Sequence, residues 1–193
     1  MHYQLTTGAL ESMKIAIMGS GGIGAYYGVY LAEAGHDVVF IARGSHLQAM
    51  QKNGLRLTGS RGDVHIKPAQ ATDNPFNLGA VDVVLFCVKL YDTETAAELI
   101  RPLLAADTMV ISLQNGIDGA DRIASVLGER HALGGSAYVS AKIVEPGVVS
   151  YTSNMSRLIF GEVDGGPSTR AQHFAETCDN PGFTIELLSL IHI

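Results

Sequence analysis

Residues 14–24 read KIAIMGSGGIG, an apolar run followed at once by Gly19, Ser20, Gly21, Gly22, Ile23 and Gly24. This is G-x-G-x-x-G spacing, and the chemistry it suits is holding a pyrophosphate. Gly19 permits a tight turn, Gly21 lets the backbone approach the anion, and Gly24 allows a helix to pack closely on the strand. The free N–H groups and positive dipole end of that helix then face the phosphate charge. Spacing alone is weak evidence, but a strand before it and a helical pattern after it supply the required context. The alternative is a glycine-rich turn with no ligand.

The second strand bears on which dinucleotide is held. Residues 37–42 (DVVFIA) form an apolar strand after Gly35-His36, and Arg43 follows. A site for NAD places Asp or Glu here to hold the ribose 2′-hydroxyl, yet no carboxylate occurs between Asp37 and Asp63. A guanidinium pairs with a 2′-phosphate through charge-assisted hydrogen bonds, where a carboxylate repels it. The reading is therefore NADP(H) rather than NAD(H), with an ordinary solvated arginine as the alternative. Ser45 is either a phosphate ligand in the same turn or, with Gln48, the capping box of the next helix.

Composition narrows the partners. A formal charge of −6 argues against nucleic acid or an anionic membrane, while leaving room for a local basic pocket. No apolar run reaches the length of a membrane span, and the first residues lack a basic stretch followed by a hydrophobic core. Cytoplasm is the expected compartment. The 193 residues, 47% of them hydrophobic, suffice for one well-packed domain and are few for a two-domain enzyme. Cys87 lies in an apolar run and Cys178 near the end of a helix, and neither has a local base that would make it a nucleophile. The seven histidines show no metal-ligand spacing, and no metal is assigned.

The elements that must position these residues alternate between strand and helix. Residues 1–12 read as a leader outside the fold, with the domain over 13–188. A helix is predicted over 45–53, then a hairpin of 55–58 and 64–67 across 59–63. Residues 81–88 (VDVVLFCV) are continuous enough for a central parallel strand covered on both faces. A helix over 93–105, a buried strand over 109–113 and a helix from an Asp118 cap to Leu127 follow. Segments 136–144, 148–152 and 157–160 read as an antiparallel extension, before a helix over 168–178 and a strand over 183–188. The fold class is α/β, a Rossmann-like doubly wound parallel sheet with an antiparallel extension.

Ligands of open α/β sheets bind beyond the carboxyl ends of the strands. Lys89 follows the 81–88 strand, as a contact to cofactor or substrate anion or as a solvated lysine. Asn115 follows the 109–113 strand, offering a donor and an acceptor to ribose or substrate, although Asn-Gly is also a common turn pair.

Taken in order, KIAIMGSGGIG, IARGSHLQAMQKNGLRL, CVKLYDT, SLQNGID and GGSAYVSAKIVEPGVVSY leading to IFGE resemble the ketopantoate reductase (2-dehydropantoate 2-reductase) family. The resemblance spans residues 13–188. It implies NADPH-dependent reduction of 2-dehydropantoate, a small 2-oxo acid, to pantoate in the biosynthesis of pantothenate and coenzyme A. By the same resemblance, Gly19 to Gly24 hold the pyrophosphate, Arg43 holds the 2′-phosphate and Lys89 contacts the cofactor. Asn115 then lies between cofactor and substrate, and Ala141 near the nicotinamide.

Members of that family continue past a strand like FTIELL into a helical domain. It supplies the lysine proton donor, most substrate contacts and a distal glutamate. Residues 189–193 (SLIHI) do not resemble the entry to that domain. The expectation is that the second, all-helical domain is absent, that no catalytic residue lies in this chain, and that these residues alone are nearly inactive. Homo-oligomerisation is left open for a full-length protein. Two rival readings stand beside this one. They are a related NADP-dependent reductase of another 2-oxo or 3-hydroxy acid, and a non-catalytic NADP-binding module.

Overall fold

The computed structural model describes residues 12–152 and 156–188. The expected tail at 189–193, and all of the expected leader but Ser12, lie outside the described residues. Strand β1 (Lys14–Met18) runs through the glycine turn into α1 (Gly22–Glu33), which returns the chain to β2 (Asp37–Ile41). Helix α2 (Gly44–Asn53), the hairpin β3 (Leu55–Gly59) and β4 (Val64–Ile66), and short β5 (Ala71–Thr72) follow. Next come β6 (Val83–Phe86), α3 (Thr93–Leu99), β7 (Met109–Ser112) and α4 (Gly119–Leu127). The chain continues through β8 (Ala132–Tyr138), β9 (Ala141–Glu145), β10 (Val148–Tyr151), β11 (Arg157–Glu162), α5 (Thr169–Thr177) and β12 (Thr184–Leu187).

The main sheet has the order β12-β11-β8-β7-β6-β1-β2-β5. Its pairs are parallel except β11 with β8, which is the antiparallel step expected from the sequence. Successive side chains of a strand point to opposite faces. Ile15 and Ile17 of β1 accordingly join one core layer with α1 and α5, while Ala16 and Met18 join the other with α3 and α4. Covering both faces is what lets the central strands be apolar without a break.

Strands β9 and β10 depart from the expected arrangement. They do not extend the main sheet; they pair with each other and with the hairpin in a second sheet of order β4-β3-β10-β9. The cause lies in α1, whose residues from Gly24 to Leu31 are all buried. A helix that is apolar all round must be covered on every side. The main sheet covers one side of α1 and the second sheet another, with Leu55, Leu57, Val149 and Tyr151 in the same core layer as α1. The polar tips of its tyrosines are satisfied in place. Tyr26 donates to the Gly182 carbonyl at 2.8 Å, Tyr27 to the Arg157 carbonyl at 2.7 Å, and Tyr30 meets the Tyr151 hydroxyl at 3.2 Å.

Three local expectations are corrected. The helix predicted over 93–105 ends at Leu99, and a separate 3-10 turn spans Arg101–Leu103. Pro102 lacks an N–H and clashes with the preceding turn, so an α-helix does not pass it. Ser45 does not cap α2: Arg43 holds the cap position without a side-chain cap bond, and Ser45 already lies inside the helix. Asp118 occupies the cap position of α4 but also makes no side-chain cap bond, whereas Ser168 caps α5 by accepting from the Ala171 amide at 3.2 Å.

Candidate functional site

Because β1, β2, β6 and β7 run parallel, their carboxyl ends lie along one edge of the sheet. From β1 the chain goes to β2 on one side and later takes up β6 on the other, so the winding reverses at β1. A crevice is expected at such a reversal. A cleft of about 390 Å³ opens there, lined by Gly19, Ser20 and Gly21 of the turn, Arg43 and His46 after β2, and Lys89 after β6.

The four glycines of the motif do different things. Gly19 has φ +93°, and a Cβ on it would sit 2.8 Å from the Val88 amide nitrogen, so this turn packs directly on the end of β6. A Cβ on Gly24 would lie 2.7 Å from Cγ2 of Ile17, the close approach of helix to strand. A Cβ on Gly21 would meet nothing within 4 Å. That open side lies at the amino end of a 12-residue helix, where unpaired N–H groups and the helix dipole favour negative charge. Gly22 faces elsewhere: a Cβ on it would run into the Ala141 carbonyl. Ile23 is half-buried and packs against the core. Gly22 and Ala141, both expected near a cofactor, therefore meet each other through their backbones.

Arg43 projects from the end of β2 with its side chain 83% exposed, and its guanidinium lies 3.0 Å from the Asp92 carboxylate. Asp73 also lines the cleft, one step beyond Thr72, which pairs with Ile41 of β2. Sequence order hides both carboxylates, because they arrive just after β5 and on the loop after β6. Only the DT of CVKLYDT carried a hint of Asp92. Lys89 is exposed at the cleft wall. Asn115 and Ala141 are not among the lining residues. Asn115 is exposed beyond β7, and its neighbour Gln114 anchors that loop to the Val88 carbonyl at 3.1 Å and the Thr93 hydroxyl at 2.8 Å. Ile143, two residues beyond Ala141, does reach the cleft.

His46, three residues after Arg43, also lines the cleft. Its Nε2 lies 3.0 Å from the Ser20 carbonyl and its Nδ1 3.0 Å from the Gly147 amide, and burial lowers its pKa. Cys87 lines the cleft with part of its surface, but burial pushes its thiol up to about 12. Cys178 is likewise pushed up to about 12 by burial, so neither thiol is a ready nucleophile. Among the described residues no group of His, Cys, Asp or Glu is arranged to hold a metal, and no helix is long and apolar enough to cross a membrane.

A larger hollow, about 770 Å³, lies near Asp121, Arg130, Glu162 and Arg170. Glu162 pairs with Leu133 near the start of β8, at the opposite end of the sheet from the strand ends just described. It lacks the glycine turn and helix end, so size does not decide between the two cavities.

Comparison with known proteins is consistent with this geometry. The model of the family described as "Ketopantoate reductase PanE/ApbA" matches residues 15–165. The chain belongs to the ketopantoate reductase family. A 2-dehydropantoate 2-reductase of Archaeoglobus fulgidus is 34% identical over 180 residues, covering 93% of this chain and 58% of the relative. One from Mesorhizobium japonicum is 32% identical, covering 85% and 56%. The chain thus spans a little over half the length of these reductases. The crystal structure of 2-dehydropantoate 2-reductase from Porphyromonas gingivalis superposes with a TM-score of 0.86 at 34% identity, over 94% of this chain and 66% of that one. A D-mandelate dehydrogenase shares the fold at a TM-score of 0.83 and 24% identity.

Proposed function

We propose that this chain is the dinucleotide-binding part of an NADPH-dependent reductase that converts 2-dehydropantoate to pantoate, a cytoplasmic step toward pantothenate. Arg43 carries this reading: an exposed guanidinium at the end of β2, on the rim of a cleft floored by an open glycine turn. The residues suit NADP(H). The Gly21 side of the turn admits a pyrophosphate, and the end of α1 supplies N–H donors and a positive dipole end. Arg43 takes the 2′-phosphate, and Lys89 adds a second cation at the cleft wall.

When bound, NADPH supplies the hydride for the ketone carbon of the 2-oxo acid. The chain's own part is to hold and orient the dinucleotide along the strand ends. Asn115, exposed beyond β7 and outside the cleft lining, is our candidate for a substrate contact, and Ala141, whose carbonyl abuts Gly22, is our candidate neighbour of the nicotinamide. No side chain in these residues is assigned as the acid that protonates the alkoxide, so turnover by this chain alone is expected to be negligible.

Arg43→Ala tests the reading. Hydrogen bonds to charged groups contribute ~1.5–3 kcal/mol, so NADPH is expected to bind about tenfold to a hundredfold more weakly, with NADH little changed. Equal effects on the two cofactors would contradict it. A second reading, an NADH-linked dehydrogenase of a related 2-hydroxy acid, is favoured by the Asp73 carboxylate beside the end of β2. It predicts that NADH binds more tightly than NADPH.

A further inference from the structure

The glycine turn is tied to the second sheet through one imidazole ring. His46 stands in α2, with Nδ1 3.0 Å from the amide nitrogen of Gly147, in the turn between β9 and β10. An amide N–H only donates, so Nδ1 carries no proton. Nε2 must then carry the hydrogen, and the Ser20 carbonyl, 3.0 Å away, accepts it. The two partners together fix a neutral ring in a single tautomer.

Ser20 is held from every side. Its amide donates to the Ile41 carbonyl at 3.1 Å, and its hydroxyl donates to the same oxygen at 3.2 Å. Its carbonyl is the group left over, and His46 takes it. That carbonyl belongs to the same planar trans peptide as the Gly21 N–H, so the two point in opposite directions. Whatever fixes the Ser20 carbonyl therefore aims the Gly21 N–H. Gly21 is the cap residue of α1 and has open space beside its Cα.

We infer that His46 is a positioning residue that aims the Gly21 N–H at the pyrophosphate of the bound dinucleotide, its ring held in turn by Gly147. This rests on the dinucleotide reading above. Sequence spacing gives no sign of it, because His46 and Gly147 are 101 residues apart.

Two variants separate the arms of the ring. In His46→Gln the side-chain amide reaches where Nε2 sits and keeps a donor for Ser20. In His46→Asn the shorter amide reaches only where Nδ1 sits and keeps an acceptor for Gly147. NADPH affinity, thermal melting and the amide resonance of Gly21 without cofactor are measured for both. We expect His46→Asn to weaken NADPH about fivefold to tenfold, the effect of one hydrogen bond, and to shift the Gly21 resonance. His46→Gln is expected to stay within about twofold of the unaltered chain, well inside the effect of one hydrogen bond, with the resonance in place.

Equal losses in the two variants would overturn the inference and leave His46 a packing residue. So would an unmoved Gly21 resonance in a folded His46→Asn chain. Should the unaltered chain bind no NADPH, the dinucleotide reading fails, while the Gly21 resonance still decides whether His46 orients that peptide.

Discussion

Arg43 meets a carboxylate before it meets any ligand. Asp92 reaches it from the loop after β6 at 3.0 Å, and both groups are open to water, the arginine at 83%. Exposed ion pairs of this kind contribute little to stability. Their influence here falls on binding, because a 2′-phosphate must compete with Asp92 for the guanidinium and settle beside its negative charge. Asp92→Asn is therefore expected to tighten NADPH about twofold to fivefold, the range of an exposed pair worth up to ~1 kcal/mol, and to leave NADH unaffected. Titration of both cofactors checks it; an unchanged NADPH affinity would mean that Asp92 does not compete for Arg43.

At the scale of elements, the glycine motif serves two masters, and point substitutions separate them. Gly21 faces open space, so Gly21→Ala is expected to fold with a melting temperature close to that of the parent while losing dinucleotide affinity. Gly22 abuts the Ala141 carbonyl of β9, so Gly22→Ala forces α1 and the second sheet apart and is expected to lower the melting temperature by several degrees. Melting curves and cofactor titrations on the pair would show the contrast; a Gly21→Ala chain that binds NADPH normally would remove Gly21 from the phosphate site. The same elements mark how far the sequence could be read. Strands β1, β2, β6 and β7 were legible because burial on both faces leaves uninterrupted apolar runs. The turn after β1 was legible because its glycines are local in sequence. Which sheet β9 and β10 join was not legible, since alternation reports a buried face and not the partner that covers it. Asp73, Asp92 and the His46–Gly147 link were missed for a related reason: each enters the site from another strand end, and only the strand order brings them together.

For the whole molecule, the buried His36 and the half-buried His46 set an acid limit. His36 accepts a hydrogen bond from the Met13 amide at Nδ1, at 3.3 Å, and His46 accepts one from Gly147. Burial lowers both pKa values, so the folded chain binds fewer protons than the unfolded one in mildly acidic solution. Stability is then full above the ordinary histidine value of about 6.5 and declines as the pH falls below it toward the lowered folded values. Denaturant melts from pH 8 to about 5 are expected to show that decline, and a flat profile would mean that neither ring must stay neutral.

All of this converges on the cleft at the ends of β1, β2 and β6, and on the kind of dinucleotide it admits. The direct measurement is the ratio of dissociation constants of NADPH and NADH for the unaltered chain, followed by nicotinamide fluorescence. Binding of NADPH about tenfold or more tighter than NADH is the predicted result, given what a guanidinium contributes to holding a phosphate. Tighter binding of NADH would contradict it, transferring the ribose contact from Arg43 to Asp73.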